Sequence, residues 1–107
     1  MTGFIEVRTT TSDKSDADLI AGNLIKEKLA ACVQVVGPIS STYRWKGKVE
    51  KESEFLLLIK TRSDLFPDVR MVIERDHPYE VPEIISVPIT GSSGPYLEWL
   101  EENISGK

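Results

Sequence analysis

The sequence is poor in the residues that hold transition metals or form cross-links: it has one cysteine and one histidine among 107 residues. Cys32 cannot form a disulfide within the chain, and no Cys-x-x-Cys or His-x-x-x-His spacing exists for a closed zinc site. A tight metal site would therefore need ligands from outside a single chain.

The sequence also lacks an excess of positive charge and a long apolar run. It has 13 basic and 17 acidic side chains, so no broad cationic field favours nucleic acid or an anionic membrane as a partner. No apolar run approaches the roughly 20 residues of a membrane-spanning helix, and the first residues show neither a basic segment nor a long apolar one. These features predict a cytoplasmic protein.

Recognisable catalytic motifs are missing as well. The sequence contains no Gly-x-Ser-x-Gly, Walker loop or His-Glu-x-x-His motif, and Cys32 is far from His77 along the chain. We therefore expect no enzymatic activity.

Alternating and helical hydrophobic patterns predict the order βαββαβ followed by a short helix. The predicted strands cover residues 4–10, 32–45, 48–60 and 83–90, and the predicted helices cover residues 16–30, 63–76 and 96–104. Lys46-Gly47 is typical of a tight hairpin turn, and Gly37-Pro38 indicates a bulge or bend within the second strand. This order predicts an α+β, ferredoxin-like fold, an antiparallel sheet with two helices on one face, as a single domain over residues 1–107.

The predicted hairpin is too long for the domain that carries it. Residues 31–45 would extend about 50 Å at roughly 3.3 Å per residue, whereas a spherical domain of this size is about 34 Å across. The end with Tyr43, Trp45 and Val49 would overhang, and an exposed strand edge with two large aromatic side chains favours pairing with another chain. We predict a homo-oligomer whose subunits contact each other through this hairpin.

His77 has the widest chemical range of any side chain in the sequence. Pro78 ends the preceding helix, so the imidazole lies at a helix-to-strand junction, where it can act as a base or a metal ligand. The alternative is a structural cap that complements the helix dipole. Asp76 is either a second ligand, a carboxylate that orients the imidazole, or a solvated acid at the helix end.

Five motifs occur in order along nearly the whole chain: Leu29-Ala30-Ala31-Cys32-Val33, Ser41-Thr42-Tyr43-Arg44-Trp45-Lys46-Gly47-Lys48, Lys60-Thr61, His77-Pro78-Tyr79-Glu80-Val81-Pro82-Glu83 and Tyr96-Leu97-Glu98-Trp99-Leu100. Together they resemble the motifs of the CutA family of divalent-cation tolerance proteins. The resemblance implies a compact homotrimer of ferredoxin-like subunits, similar in architecture to PII-type signalling proteins. It also implies an association with copper and other divalent cations.

The resemblance gives His77 as the candidate metal position, with Asp76 as a further ligand. Some relatives have a second histidine where this chain has Asp76, and a thiol where it has Thr9. Imidazole with carboxylate and hydroxyl oxygen suits Cu(II), Zn(II) or Ni(II) better than Cu(I). The expected bound ion is therefore Cu(II) or another divalent cation.

Two further groups of residues are assigned to sites. Lys60, Glu54 and Tyr79 are predicted to line a pocket in an alternative function, a PII-like signalling or scaffolding trimer that binds a small ligand or a partner protein in inter-subunit clefts. Lys60 would otherwise pair with a neighbouring acid. Large aromatic side chains with a polar tip are favoured at subunit interfaces, which is the position predicted for Tyr43, Trp45 and Trp99. The alternative for these aromatic side chains is to line a ligand pocket together with Tyr79.

Overall fold

A four-stranded antiparallel sheet forms the centre of the computed structural model, which describes residues 2–105. The strands are β1 (Phe4–Thr11), β2 (Cys32–Trp45), β3 (Lys48–Arg62) and β4 (Ile85–Ile89), in the spatial order β2-β3-β1-β4. The helices are α1 (Lys14–Lys26), α2 (Phe66–Asp76), which follows a short 3-10 turn at Ser63–Leu65, and α3 (Gly94–Glu102). The predicted ferredoxin-like α+β fold is confirmed.

The main core lies between the sheet and the helices α1 and α2. Alternate residues of β1 and β3 face the apolar stripes of the two helices, as the periods of strands and helices require. Its fully buried members include Val7, Ile20, Leu24, Leu57, Ile59, Val69 and Ile73. A smaller cluster of Phe4, Leu65, Leu100 and Ile104 fixes α3. No helix in residues 2–105 is long and apolar enough to cross a membrane.

Helix α1 ends earlier than the sequence predicts. It was expected to continue to residue 30, but it stops at Lys26, and Lys28 adopts a left-handed conformation with φ 59°. Leu29 and Ala30 are nevertheless buried, because the turn directs them into the core that the extended helix was predicted to fill. Leu29 and Ala30 fit the helical hydrophobic pattern because they are buried, although they lie beyond the end of α1.

Strands β2 and β3 form a long ribbon that extends beyond the rest of the sheet. Only residues 55–62 of β3 pair with β1, so residues 48–54 pair with β2 alone. The chain measures 44 × 25 × 22 Å, and its radius of gyration of 14.3 Å exceeds the value of about 13 Å expected for a compact domain of this length. The predicted overhang is confirmed.

The turn and the bulge of the ribbon also follow the sequence. Lys46 and Gly47 both have positive φ, 50° and 82°, as a primed two-residue hairpin turn requires. The register between β2 and β3 shifts between Val36 and Ile39, at the predicted Gly37-Pro38 bulge.

Thr9 provides a test of core packing. It is fully buried in β1, and its hydroxyl oxygen is the only buried side-chain polar atom of residues 2–105 without a hydrogen-bond partner. We expect Thr9→Val, which keeps the shape and removes the unpaired hydroxyl, to raise the free energy of unfolding by about 1 kcal/mol. Urea unfolding monitored by circular dichroism measures this change.

Thr61→Val is the matched control for that substitution. Thr61 is equally buried, but its hydroxyl donates a hydrogen bond to the carbonyl oxygen of Leu29 at 2.6 Å. Removing this hydroxyl leaves the carbonyl without that donor, so we expect destabilisation. Equal loss of stability in both variants would contradict the assignment of Thr9 as unsatisfied.

Candidate functional site

His77 lies at the C-terminal end of α2 with both ring nitrogens engaged. Its backbone is extended, with φ −84° and ψ 135°, as expected before Pro78. Nε2 lies 2.7 Å from the carbonyl oxygen of Thr10, and Nδ1 accepts a hydrogen bond from the backbone N–H of Tyr79 at 3.2 Å. Because Nδ1 accepts, the ring proton is on Nε2, which donates to Thr10. Direct coordination of a metal by His77 would therefore require one of these bonds to break.

Asp76 is also fully engaged within the chain. One carboxylate oxygen accepts from Asn23 Nδ2 at 2.8 Å, and Arg75 donates to both oxygens at 3.0 and 3.1 Å. Hydrogen bonds from Arg75 and Asn23 hold the pKa of Asp76 below its usual range, against the opposing effect of burial. The carboxylate thus links α2 to α1, and the metal-ligand role of His77 and Asp76 stays a prediction.

Tyr79 connects His77 to Glu54. The rings of His77 and Tyr79 have centroids 4.6 Å apart, and the Tyr79 hydroxyl donates to Glu54 Oε2 at 2.7 Å. Burial and the hydrogen bond to Glu54 raise the pKa of Tyr79 to about 12. A continuous series of contacts therefore runs from β1 through His77 and Tyr79 to β3.

A cavity of about 720 Å³ lies between the β2-β3 ribbon and the segment that follows α2. Acidic and aromatic side chains dominate its lining, which includes Glu50, Glu52, Glu54, Glu80, Glu83, Tyr43, Trp45 and Tyr79. No lysine, arginine or histidine of the described chain lines it. Five carboxyl groups without a basic neighbour in the lining create a negative potential that attracts cations and repels anions. We call this feature the acidic cavity.

Lys60 does not line the acidic cavity. Its ammonium group lies 3.3 Å from Glu6 Oε1 and donates to Gln34 Oε1 at 2.8 Å. Glu6 is its partner in the register of β1 and β3, and Glu54 is six residues away along the strand, roughly 20 Å at 3.3 Å per residue. The structure therefore brings Glu54 and Tyr79 together, whereas Lys60 pairs with a neighbouring acid.

The three predicted interface aromatics are only partly covered in the single chain. Tyr43 and Trp45, near the end of the ribbon, are 38% and 39% exposed. Trp99, on α3, is 43% exposed and stacks on Tyr96 at a centroid distance of 5.7 Å. Each retains a large apolar surface that a second chain can cover.

Four acidic residues of the acidic cavity were not predicted from the sequence as site residues: Glu50, Glu52, Glu80 and Glu83. The signal for the first two is the alternation Glu50-Lys51-Glu52-Ser53-Glu54, because alternate residues of a strand share one face. Glu80 and Glu83 come from the segment after α2, which only the tertiary structure brings opposite the ribbon.

Comparisons with known proteins agree on one family. The family model described as CutA1 divalent ion tolerance protein matches residues 5–103. "Protein CutA, chloroplastic" of Arabidopsis thaliana is 44% identical over 99 residues, which are 92% of this chain and 54% of that protein. "Divalent-cation tolerance protein CutA" of Thermus thermophilus is 43% identical over 97 residues, which are 91% of this chain and 94% of that protein. The chain thus spans about half the length of the plant relative.

Solved structures of this family superpose closely on the chain. The divalent cation tolerance protein (Cut A1) from Thermus thermophilus has a TM-score of 0.92 at 41% identity, and the match covers 95% of this chain and 99% of that one. CutA1 from Oryza sativa has a TM-score of 0.91 at 42% identity, with 97% of each chain covered. The match therefore includes the ribbon and α3 as well as the core.

Proposed function

Because the chain belongs to the CutA1 divalent ion tolerance protein family, we propose that it is a non-enzymatic, cytoplasmic homotrimer that binds Cu(II) or another divalent cation. Its family connects it with tolerance to divalent metal ions in general. The bound ion, the trimer and the compartment are the parts that we propose.

The overhanging ribbon supports the homotrimer. Within residues 2–105, residues 48–54 of β3 have no partner strand except β2, and a two-stranded ribbon is marginally stable in water by itself. Tyr43, Trp45 and Val49 expose apolar surface at its end. Contacts with other subunits would cover this surface and stabilise the ribbon.

The acidic cavity is the observation that carries the cation-binding proposal. No group of three or more His, Cys, Asp or Glu side chains within residues 2–105 is arranged to hold a metal ion. The cavity nevertheless collects carboxylate and phenol oxygens, which suit divalent cations of hard or borderline character. We place the ion at these carboxylates, with its remaining ligands supplied by a neighbouring subunit.

Isothermal titration with Cu(II) tests this placement. We expect Glu52→Gln/Glu54→Gln to weaken Cu(II) binding about tenfold, because the double substitution removes two negatively charged carboxylate ligands from the cavity. His77→Ala should weaken binding less, since the imidazole nitrogens are already bound to Thr10 and Tyr79. Asp76→Asn is titrated with Cu(II) in the same way, because Asp76 is the second metal ligand predicted from the sequence.

The order of effects decides between the two candidate sites. A loss that is larger for His77→Ala and Asp76→Asn than for the cavity variant would place the ion at the end of α2. Unchanged binding by all three variants would remove both placements. Thermal denaturation of each variant without metal shows whether it remains folded.

The alternative function, a PII-like signalling or scaffolding trimer, has less support. Lys60 is the one cation predicted for its ligand pocket, and it binds Glu6 and Gln34 instead of facing the cavity. A cavity whose ionisable lining is acidic also disfavours ligands that carry phosphate.

A further inference from the structure

The β2-β3 ribbon leaves the main sheet where two irregularities coincide. Pairing between β1 and β3 ends at Thr11 and Phe55, so Glu54 is the first residue of β3 beyond β1. The bulge of β2 lies at the same level, because Ile39, which follows it, is the register partner of Glu54. A bulge bends its strand and increases the local twist, so the direction of the ribbon is decided at this level.

A buried hydrogen bond joins the ribbon to the segment after α2 at this same level. The Tyr79 hydroxyl donates to Glu54 Oε2 at 2.7 Å, and Glu54 is only 5% exposed. Within residues 2–105 this is the only hydrogen bond to the Glu54 carboxylate. Because a buried carboxylate that loses its donor pays a large desolvation penalty, the pair resists separation.

His77 in turn fixes Tyr79 to β1. Nδ1 accepts from the backbone N–H of Tyr79 at 3.2 Å, and Nε2 donates to the carbonyl oxygen of Thr10 at 2.7 Å, one residue before the end of β1. The imidazole is buried, and its ring centroid lies 4.6 Å from that of Tyr79. We call this series of contacts, from Thr10 through His77 and Tyr79 to Glu54, the strut.

We propose that the strut fixes the direction of the ribbon relative to the sheet, with His77 as a positioning residue that acts through Tyr79. It connects the end of β1 to the first ribbon residue across the level at which the ribbon bends. A ribbon held in one direction presents the exposed aromatic side chains at its end without the ordering cost that a free hinge would add to assembly. The strut lies within one chain, so it stands apart from the metal binding and the homotrimer proposed above.

Amide hydrogen exchange of the metal-free protein, followed residue by residue by NMR, tests the proposal. We expect Tyr79→Phe, which removes the hydroxyl and keeps the ring, to speed exchange of the ribbon amides in residues 39–45 and 48–54 about tenfold. His77→Ala should speed their exchange by at least as much. Core amides such as those of Val7 and Ile59 should keep their wild-type rates in Tyr79→Phe.

The amide of residue 79 separates positioning by His77 from a general loss of stability. In Tyr79→Phe this amide keeps its bond to Nδ1 and should stay protected, although the ribbon amides exchange faster. In His77→Ala the amide of residue 79 and the ribbon amides should lose protection together. His77→Gln, whose side-chain amide can still donate to Thr10, should retain more protection of the ribbon than His77→Ala.

Tyr96→Phe is the matched control. It removes the same hydroxyl from α3, where Tyr96 stacks on Trp99. Ribbon amides that keep the wild-type exchange rate in Tyr79→Phe, or that exchange as fast in Tyr96→Phe as in Tyr79→Phe, would overturn the proposal. Faster exchange of ribbon and core amides alike in Tyr79→Phe would overturn it as well, because the loss of protection would then be global. EDTA is present throughout, so a failure of Cu(II) binding leaves this comparison unchanged.

Discussion

Replacing Gly37 with alanine is expected to lower the free energy of unfolding by about 2 kcal/mol. A Cβ at this position would lie 2.6 Å from Cδ1 of Phe55 and 3.0 Å from the carbonyl oxygen of Glu54. The phenyl ring of Phe55 can turn away, but the backbone of β3 cannot move without disturbing its pairing with β1 and β2. The substitution therefore separates the two strands at the bulge.

Gly37→Ala should also distort the wall of the acidic cavity. Glu54 is the residue whose backbone carbonyl lies close to the added methyl group, and its side chain is buried in the cavity wall against Tyr79. A shift of β3 would lengthen that hydrogen bond, so we expect cation binding to weaken together with stability. Urea unfolding measures the loss of stability. Titration of the folded variant with Cu(II) measures the loss of cation binding.

Gly22→Ala is the control for Gly37→Ala. Gly22 lies in α1, and no atom of the described residues 2–105 is within 4 Å of the position that its Cβ would take. Alanine is the better helix former, so this variant should be more stable by about 0.5–1 kcal/mol. Loss of stability in both variants, or in neither, would show that close approach of the strands at Gly37 does not limit the fold.

Local sequence patterns predicted the backbone conformation correctly where a residue type directly restricts it. Lys46-Gly47 predicted a primed turn because glycine accepts positive φ, and Pro78 predicted the end of α2 because it excludes helix from the residue before it. They failed at Lys28, a good helix former that tertiary packing holds in a left-handed conformation. Helix propensity does not predict where tertiary packing imposes a different backbone conformation.

The candidate site was predicted only in part for a similar reason. The sequence singled out Glu54, Tyr79 and His77, and the structure connects all three through hydrogen bonds. The sequence also grouped Lys60 with Glu54, because both lie on one face of β3. The ion-pair partner of Lys60 is instead Glu6, which faces it on the neighbouring strand β1. Contacts between strands distant in sequence cannot be read from the spacing along one strand.

Trp45→Ala and Tyr43→Ala are expected to weaken assembly about 100-fold or more, the loss typical of buried aromatic side chains at the centre of an interface. Both side chains are more than a third exposed in the single chain, so their removal should leave the fold of the subunit intact. Light scattering over a series of dilutions measures the subunit state, and circular dichroism confirms the fold. Met71→Ala, at an exposed apolar position on α2, should leave assembly unchanged.

Val49→Asp extends this experiment to the divalent-cation proposal. Val49 is 63% exposed near the end of the ribbon and is not part of the acidic cavity lining, so a charge there opposes assembly without altering the cavity. If Cu(II) takes ligands from two subunits, the dissociated variant should lose Cu(II) binding. A trimer that survives Trp45→Ala, Tyr43→Ala and Val49→Asp at low concentration would contradict the ribbon interface itself. In that case the exposed aromatic pair Tyr96 and Trp99 on α3 becomes the next surface to substitute, because it is another large apolar area that the single chain leaves uncovered.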